Sequence, residues 1–183
     1  DGRVVEDFRL KKVFPTINFL QEKKAKIIII GHLESTETTS LDPVYRYLKN
    51  YFPITFIQTQ HVVDDIVKGV VDGLHEGEII MLENLRQQPG EKNNDPEFAK
   101  ELASIADIYV NEAFSVAHRK HASIVGVARM LPGYAGLLLQ EEVEQLSRWF
   151  KPAKPFTFIL GGANFETKIP LVQQFLNRTE PVI

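Results

Sequence analysis

Four consecutive side chains, His118-Arg119-Lys120-His121, are basic or can become so, and they follow an apolar run, Ile105 to Val110, that reads as a buried strand. A positive turn just past the carboxyl end of a strand is where open α/β sheets place ligands. A guanidinium can grip a carboxylate or phosphate through two parallel hydrogen bonds, and flanking imidazoles can donate or accept. Charge alone leaves a solvated basic turn as an equal reading. His118 and His121 have a spacing that could suggest a metal pair, but the cations between them would repel a metal ion. Two further cations, His32 and Arg86, each lie just beyond a predicted strand, and Arg9 sits near the start of the first helix. Taken singly, such an arginine is more often a surface ion-pair partner and such a histidine a satisfied turn residue. Gly161-Gly162 follows another apolar run, Phe156 to Leu160, and bare N–H groups before a helix can cradle a phosphate. A tight strand-to-helix turn is the plainer alternative there.

The elements that must position these groups alternate. Phe8, Val13, Phe14, Ile17 and Leu20 recur at helical spacing, which predicts an amphipathic helix over roughly 6–23, with Pro15 kinking it or lying near its first turns. Lys26 to Ile30 carries four isoleucines and is expected to be a central parallel strand. Helices are predicted over 41–51 and 64–74, and strands over 54–57 and 78–82. Asp95-Pro96-Glu97 supplies an N-cap, a proline at the first helical position and an acidic first turn, so a helix runs from there to about Ala106. A strand follows at 108–110. A helix over 140–150 should bury Val143, Leu146 and Phe150. Lys151-Pro152-Ala153-Lys154-Pro155 is the one strong linker, and a strand, a glycine turn and a helix to about Leu176 lie beyond it. Strands alternating with helices imply right-handed crossovers and a doubly wound parallel α/β sheet with helices on both faces.

Composition narrows the classes. The chain has 183 residues, 44% hydrophobic and 25% charged, the balance of an ordinary globular protein with room for one good core. It contains no cysteine, which excludes a disulfide scaffold, thiolate metal sites and thiol catalysis, and suits a reducing cytoplasm. No apolar run approaches the ~20 residues of a membrane span. A net charge of −3 speaks against a broad nucleic-acid footprint, and local basic turns in an acidic chain suit a small anionic ligand.

The residues also carry a resemblance. Asn111 to Ser123 resembles the phosphoglycerate kinase signature N-[DE]-A-F-[GS]-x-A-H-R-x-H-A-S. Asp7-Phe8-Arg9-Leu10 with Pro15-Thr16-Ile17, Gly31-His32-Leu33, and Leu82-Glu83-Asn84-Leu85-Arg86 with Pro89-Gly90-Glu91 and Asn94-Asp95-Pro96 are similar to that family's other blocks, in its order. So are Leu160-Gly161-Gly162-Ala163 and Lys168-Ile169. The resemblance implies phosphoryl transfer between 1,3-bisphosphoglycerate and ADP, giving 3-phosphoglycerate and ATP, with Mg²⁺ accompanying the nucleotide, in a cytoplasmic monomer that binds neither membrane nor nucleic acid. It implies that Arg9, His32, Arg86 and Arg119 bind the phosphoglycerate, and that Gly161, Gly162 and Lys168 bind nucleotide phosphates. Such chemistry needs cations that hold a highly charged acid in line and spread the charge of the transition state. The resemblance further implies a phosphoglycerate-binding lobe over 1–150, lacking its first strand, and the start of a nucleotide lobe over 151–183.

Two departures matter. The family's substrate-touching arginine after His32 is Ser35, with Glu34 beside it, and the lysine expected after Gly161-Gly162-Ala163 is Asn164. Losing one transition-state donor costs on the order of 10²–10³ in turnover. The absent initiator Met and the strand-like close at Pro181-Val182-Ile183 read as the two cut ends of a fragment, expected to be inactive alone. The alternative is a catalytically degraded relative that binds an anion or a protein. An unrelated dinucleotide-binding domain is discounted, because no G-x-G-x-x-G turn follows the first strand.

Overall fold

A computed structural model describes residues 4–34, 39–148, 169 and 173. The chain divides into two compact units, Asp1–Glu142 and Val143–Ile183. The described elements run α1 (Phe8–Glu22), β1 (Ile27–Ile29), α2 (Asp42–Leu48), β2 (Ile54–Ile57), α3 (Asp65–Asp72), β3 (Ile79–Leu82), α4 (Pro89–Asn93), α5 (Pro96–Ala103), β4 (Tyr109–Asn111), β5 (Gly133–Ala135) and α6 (Leu137–Arg148). β1, β3 and β2 form one parallel sheet in that spatial order, and β4 and β5 pair in parallel as a second.

The hub is β3, all four of whose side chains are buried. Alternation along a strand sends them to opposite faces. Ile80 and Leu82 join Val62, Val67, Leu74, Phe98 and Leu102, so α3 and α5 cover one face. Ile79 and Met81 join Ile17, Leu48 and Phe52, so α1 and α2 cover the other. Helices on both faces of a parallel sheet are the doubly wound arrangement expected from sequence. Each such buried aliphatic side chain contributes about 1.5–3 kcal/mol. Local signals fix the helix starts: Asp64 accepts from the Val67 N–H at 2.9 Å, and Asp95 from the Phe98 N–H at 2.9 Å. At the α6 start, Glu112 accepts from the Leu138 and Leu139 N–H groups, at 3.3 and 3.0 Å.

Several expectations are corrected. The isoleucine strand β1 is not central among the described strands; β3 takes that place, and β1 has one flank unpaired. Phe8 is exposed, because it opens α1 ahead of the turns that reach the core at Ile17. Pro15 stands well inside α1, not near its first turns. α6 begins earlier, at Leu137, and its described residues bury none of their side chains; Val143 and Leu146 are exposed. β5 was not expected, since the three residues Gly133-Tyr134-Ala135 are too few to show a strand pattern. Ser35, Phe150, the linker and the glycine turn lie outside the described residues.

Candidate functional site

Because β1 and β3 run parallel, their carboxyl ends share one edge of the sheet. His32 lies three residues beyond β1, and Arg86 lies in the 3₁₀ turn Leu85–Gln87 just beyond β3. Arg119 follows β4 and a second 3₁₀ turn, Phe114–Val116, its N–H bonded to the Val116 carbonyl at 2.9 Å. These groups act on one another electrostatically. Burial, and then the Arg86 guanidinium, hold the His32 imidazole below its ordinary pKa, with His121 and Arg119 adding to the effect and Glu91 opposing it. His121 is lowered by burial, then Arg86, against Glu91, with Arg119 and Lys92 contributing. The two imidazole rings meet edge to face with centroids 6.4 Å apart.

Buried polar side chains hold this cluster in place. Asn84 donates to the Leu33 and Thr39 carbonyls at 2.9 and 2.7 Å, and accepts from the Leu33 and Arg86 N–H groups at 3.0 and 3.1 Å. Glu83 accepts from the Ser40 hydroxyl and the Leu41 N–H, both at 2.7 Å. Glu91, fully buried, accepts from the Ser123 hydroxyl at 2.7 Å and from its N–H at 3.0 Å. That clamp fixes the segment following Arg119 to α4. These three residues fall inside recognisable blocks, yet no periodicity or charge pattern distinguishes a bracing carboxylate from a solvated one.

The unmet hydrogen-bonding capacity also collects here. Among the described residues, the buried side-chain atoms without a partner are Arg86 Nε and Nη2, His121 Nδ1 and Asn94 Oδ1. A buried donor left unsatisfied costs about 1–3 kcal/mol. Two of these atoms are the parallel N–H donors of one guanidinium, Arg86, and such a pair matches a carboxylate or phosphate. Lys92 extends the positive surface and pairs with Glu34 at 2.8 Å; it holds the Glu34 carboxyl below its usual range, with Arg86 and Arg119 contributing. Arg9, exposed on the first turn of α1, is absent from the charges that act most strongly on either imidazole. Its neighbour Asp7 is bonded instead to Tyr47 at 2.8 Å and to Lys11 at 2.8 Å. His118 is exposed, and no group of three His, Asp or Glu side chains able to hold a metal occurs among the described residues. Gly161, Gly162, Asn164 and Lys168 lie outside the described residues.

Comparison with known proteins gives one answer. The family model described as phosphoglycerate kinase matches residues 1–183. Phosphoglycerate kinase of Pseudothermotoga lettingae is 40% identical over 189 residues, covering 100% of this chain and 48% of that protein. The enzyme of Dictyoglomus turgidum is 39% identical over 185 residues, covering 98% and 47%. Among solved structures, phosphoglycerate kinase from Pyrococcus horikoshii OT3 superposes with a TM-score of 0.87 at 31% identity, over 97% of this chain and 47% of that one. The Coxiella burnetii enzyme gives 0.82 at 37%, over 98% and 46%. The chain spans about half the length of the curated relatives it matches.

Proposed function

Since this chain belongs to the phosphoglycerate kinase family, we propose that its described unit is the half that holds the acid substrate, 3-phosphoglycerate or 1,3-bisphosphoglycerate, for phosphoryl exchange with ADP and ATP. The observation that carries the reading is Arg86, whose Nε and Nη2 are buried without partners beside His32, His121 and Arg119. In this assignment Arg86 grips one anionic end of the acid through its paired N–H groups. Arg119 supplies further positive charge, and His32 a further donor. Arg9 belongs to the same site by motif, and would need to approach it from α1. Residues 1–150 form the acid-binding lobe, and 151–183 open the nucleotide lobe, where Gly161, Gly162 and Lys168 hold nucleotide phosphates. Among the described residues no cluster of carboxylates could hold the Mg²⁺ that travels with the nucleotide.

A second reading keeps the anion site and drops the catalysis. It is favoured by Ser35, Glu34 and Asn164 in place of the family's residues, since each removes positive charge or adds negative charge near the acid or the transferred phosphoryl group.

Calorimetry with 3-phosphoglycerate tests the shared core of both readings. Binding should be weak, and weaker at higher salt. Arg86→Ala removes a partly buried, charge-assisted contact of about 1.5–3 kcal/mol, so affinity should fall by roughly 10- to 100-fold. Arg119, exposed, should cost about 0–1 kcal/mol on the same change, no more than about fivefold. Equal affinities for the parent and the Arg86 variant would place the ligand elsewhere.

A further inference from the structure

Two carboxylates stand beside the cations of the candidate site, and they differ in kind. Glu91 is buried and committed to Ser123. Glu34, two residues beyond His32, is exposed, and its Oε1 accepts from Lys92 Nζ at 2.8 Å. Lys92 is not its only positive neighbour: after Lys92, the Arg86 and Arg119 guanidiniums also hold the Glu34 carboxyl below its usual range. Lys92 in turn is one of the charges acting on His121. A negative group at this place is therefore felt by Lys92, Arg86 and Arg119 together, the same field that an anionic ligand of the site would meet.

Both partners are mounted on braced backbone. The Asn84 side chain accepts from the Leu33 N–H at 3.0 Å and from the Arg86 N–H at 3.1 Å, so one amide fixes both Arg86 and the residue before Glu34. Lys92 follows Glu91, whose carboxylate binds Ser123 on the segment beyond Arg119. The pair thus joins the turn after β1 to α4, across 58 positions of the chain. The head groups are not held in the same way, since the side chains of Glu34 and Lys92 are 66% and 50% exposed. An exposed pair of this kind contributes little to stability and opens readily. Fixed backbone with free side chains makes a contact that can change partner without moving the fold.

We propose that Glu34 is a tethered competitor of the acid substrate: its carboxylate holds Lys92 until the substrate's phosphate group takes that lysine over. Lys92 is then a further phosphate-binding residue, and Glu34 a specificity determinant. The inference deepens the acid-binding role proposed above and rests on it. Charge decides the direction of the exchange. A phosphate monoester carries about −1.5 to −2 at pH 7 and offers three strong acceptor oxygens, against a single charge on the Glu34 carboxylate. Lysine is a compact point charge with three rotatable donors and no fork geometry to satisfy, so it can follow the stronger anion. An acid bearing only a carboxylate has no such advantage over Glu34, and the exchange therefore selects for the phosphorylated acid.

A double-mutant cycle in the 183-residue chain separates exchange from simple screening. Calorimetry with 3-phosphoglycerate at low salt compares the parent, Glu34→Gln, Lys92→Met and the double variant, with Arg86→Ala as the reference for the site. Glu34→Gln should tighten binding by roughly 2- to 5-fold, since no pair has to open first. Lys92→Met should weaken binding by roughly 5- to 10-fold in the Glu34→Gln background. In the parent it should cost only about twofold, because losing the lysine also removes the pair that the ligand must open. Screening predicts the reverse order: Lys92→Met would weaken the parent by unmasking Glu34 and leave the Glu34→Gln variant unchanged. That reverse order, or equal affinities for Glu34→Gln and the parent, overturns the exchange while a weakened Arg86→Ala leaves the acid site standing. An Arg86→Ala variant that binds as the parent does overturns the site, and the exchange with it.

Discussion

Replacing Ser123 by alanine tests whether the buried clamp between α4 and the basic turn contributes the stability its geometry suggests. The substitution deletes the 2.7 Å bond from the Ser123 hydroxyl to Glu91 and leaves the 3.0 Å bond from its N–H. Glu91 is 0% and Ser123 4% exposed, so water cannot replace the lost donor. The nearest alternative, His121 Nδ1, stands 3.9 Å from the carboxylate, too far to compensate without moving. A hydrogen bond to a carboxylate contributes about 1.5–3 kcal/mol, and removing one oxygen atom leaves little void. The expected loss is about 2 kcal/mol of unfolding free energy, or roughly 4–8 °C in Tm for a chain of this length. Urea titrations followed by circular dichroism should show a lower midpoint with an unchanged slope. In a Glu91→Gln background the same serine change should cost only about half as much, because the hydroxyl there faces an uncharged amide, giving a coupling of about 1 kcal/mol. A loss below about 0.5 kcal/mol, the range of ordinary surface changes, would refute the clamp.

Two glycines should respond with opposite signs. A Cβ on Gly126 would lie 2.5 Å from the Ala99 Cβ and 3.0 Å from Asn94 Oδ1, so Gly126→Ala should destabilise by about 1–3 kcal/mol, whereas Gly69 in α3 has open space and Gly69→Ala should stabilise by roughly 0.5–1 kcal/mol. Both are read from urea midpoints, and a neutral Gly126→Ala would contradict the close packing of α5 on that turn. The lowered pKa values of His32 and His121 predict a pH dependence. Below the unfolded value, about 6.5, the unfolded chain takes up protons that these imidazoles resist, so stability complete above that pH declines as pH falls through the lowered folded values. Binding of 3-phosphoglycerate should tighten over the same window, since an anion favours the imidazolium forms. His121→Gln should flatten both trends, and unchanged slopes in that variant would count against the assignment.

The alternation of strands and helices was legible because β3 is apolar at every position and Asp95-Pro96 announces α5 without help from the rest of the molecule. The centre of the sheet was not. β1 and β3 read alike as apolar runs, and only pairing tells which is flanked on both sides. The cations at His32, Arg86 and Arg119 could be found as residues that follow strands, since parallel strands deliver their carboxyl ends to a common edge. Their supports could not. Glu83, Asn84 and Glu91 are polar residues whose work is done from within, against backbone groups 32 to 51 positions away in the chain. Nothing local separates such a residue from one that faces solvent. The apolar residues of α6 failed for a related reason: helical spacing gives a stripe, and burial also requires a neighbour to receive it.

The bracing of the turn after β1 has a consequence for how the molecule comes together. Leu33, Thr39, Ser40 and Leu41 are held by Glu83 and Asn84, which directly follow the central strand. That turn therefore cannot acquire its binding form when β1 and its helix first collapse; it must wait until β3 has been threaded between β1 and β2. Closing a contact 51 residues long is slow compared with forming a helix, so the last piece of the crevice to set belongs to the earliest part of the chain. The appearance of anion affinity during refolding would then time the seating of β3. An engineer wishing to reshape the crevice would do better to edit the two residues after β3 than the turn they hold.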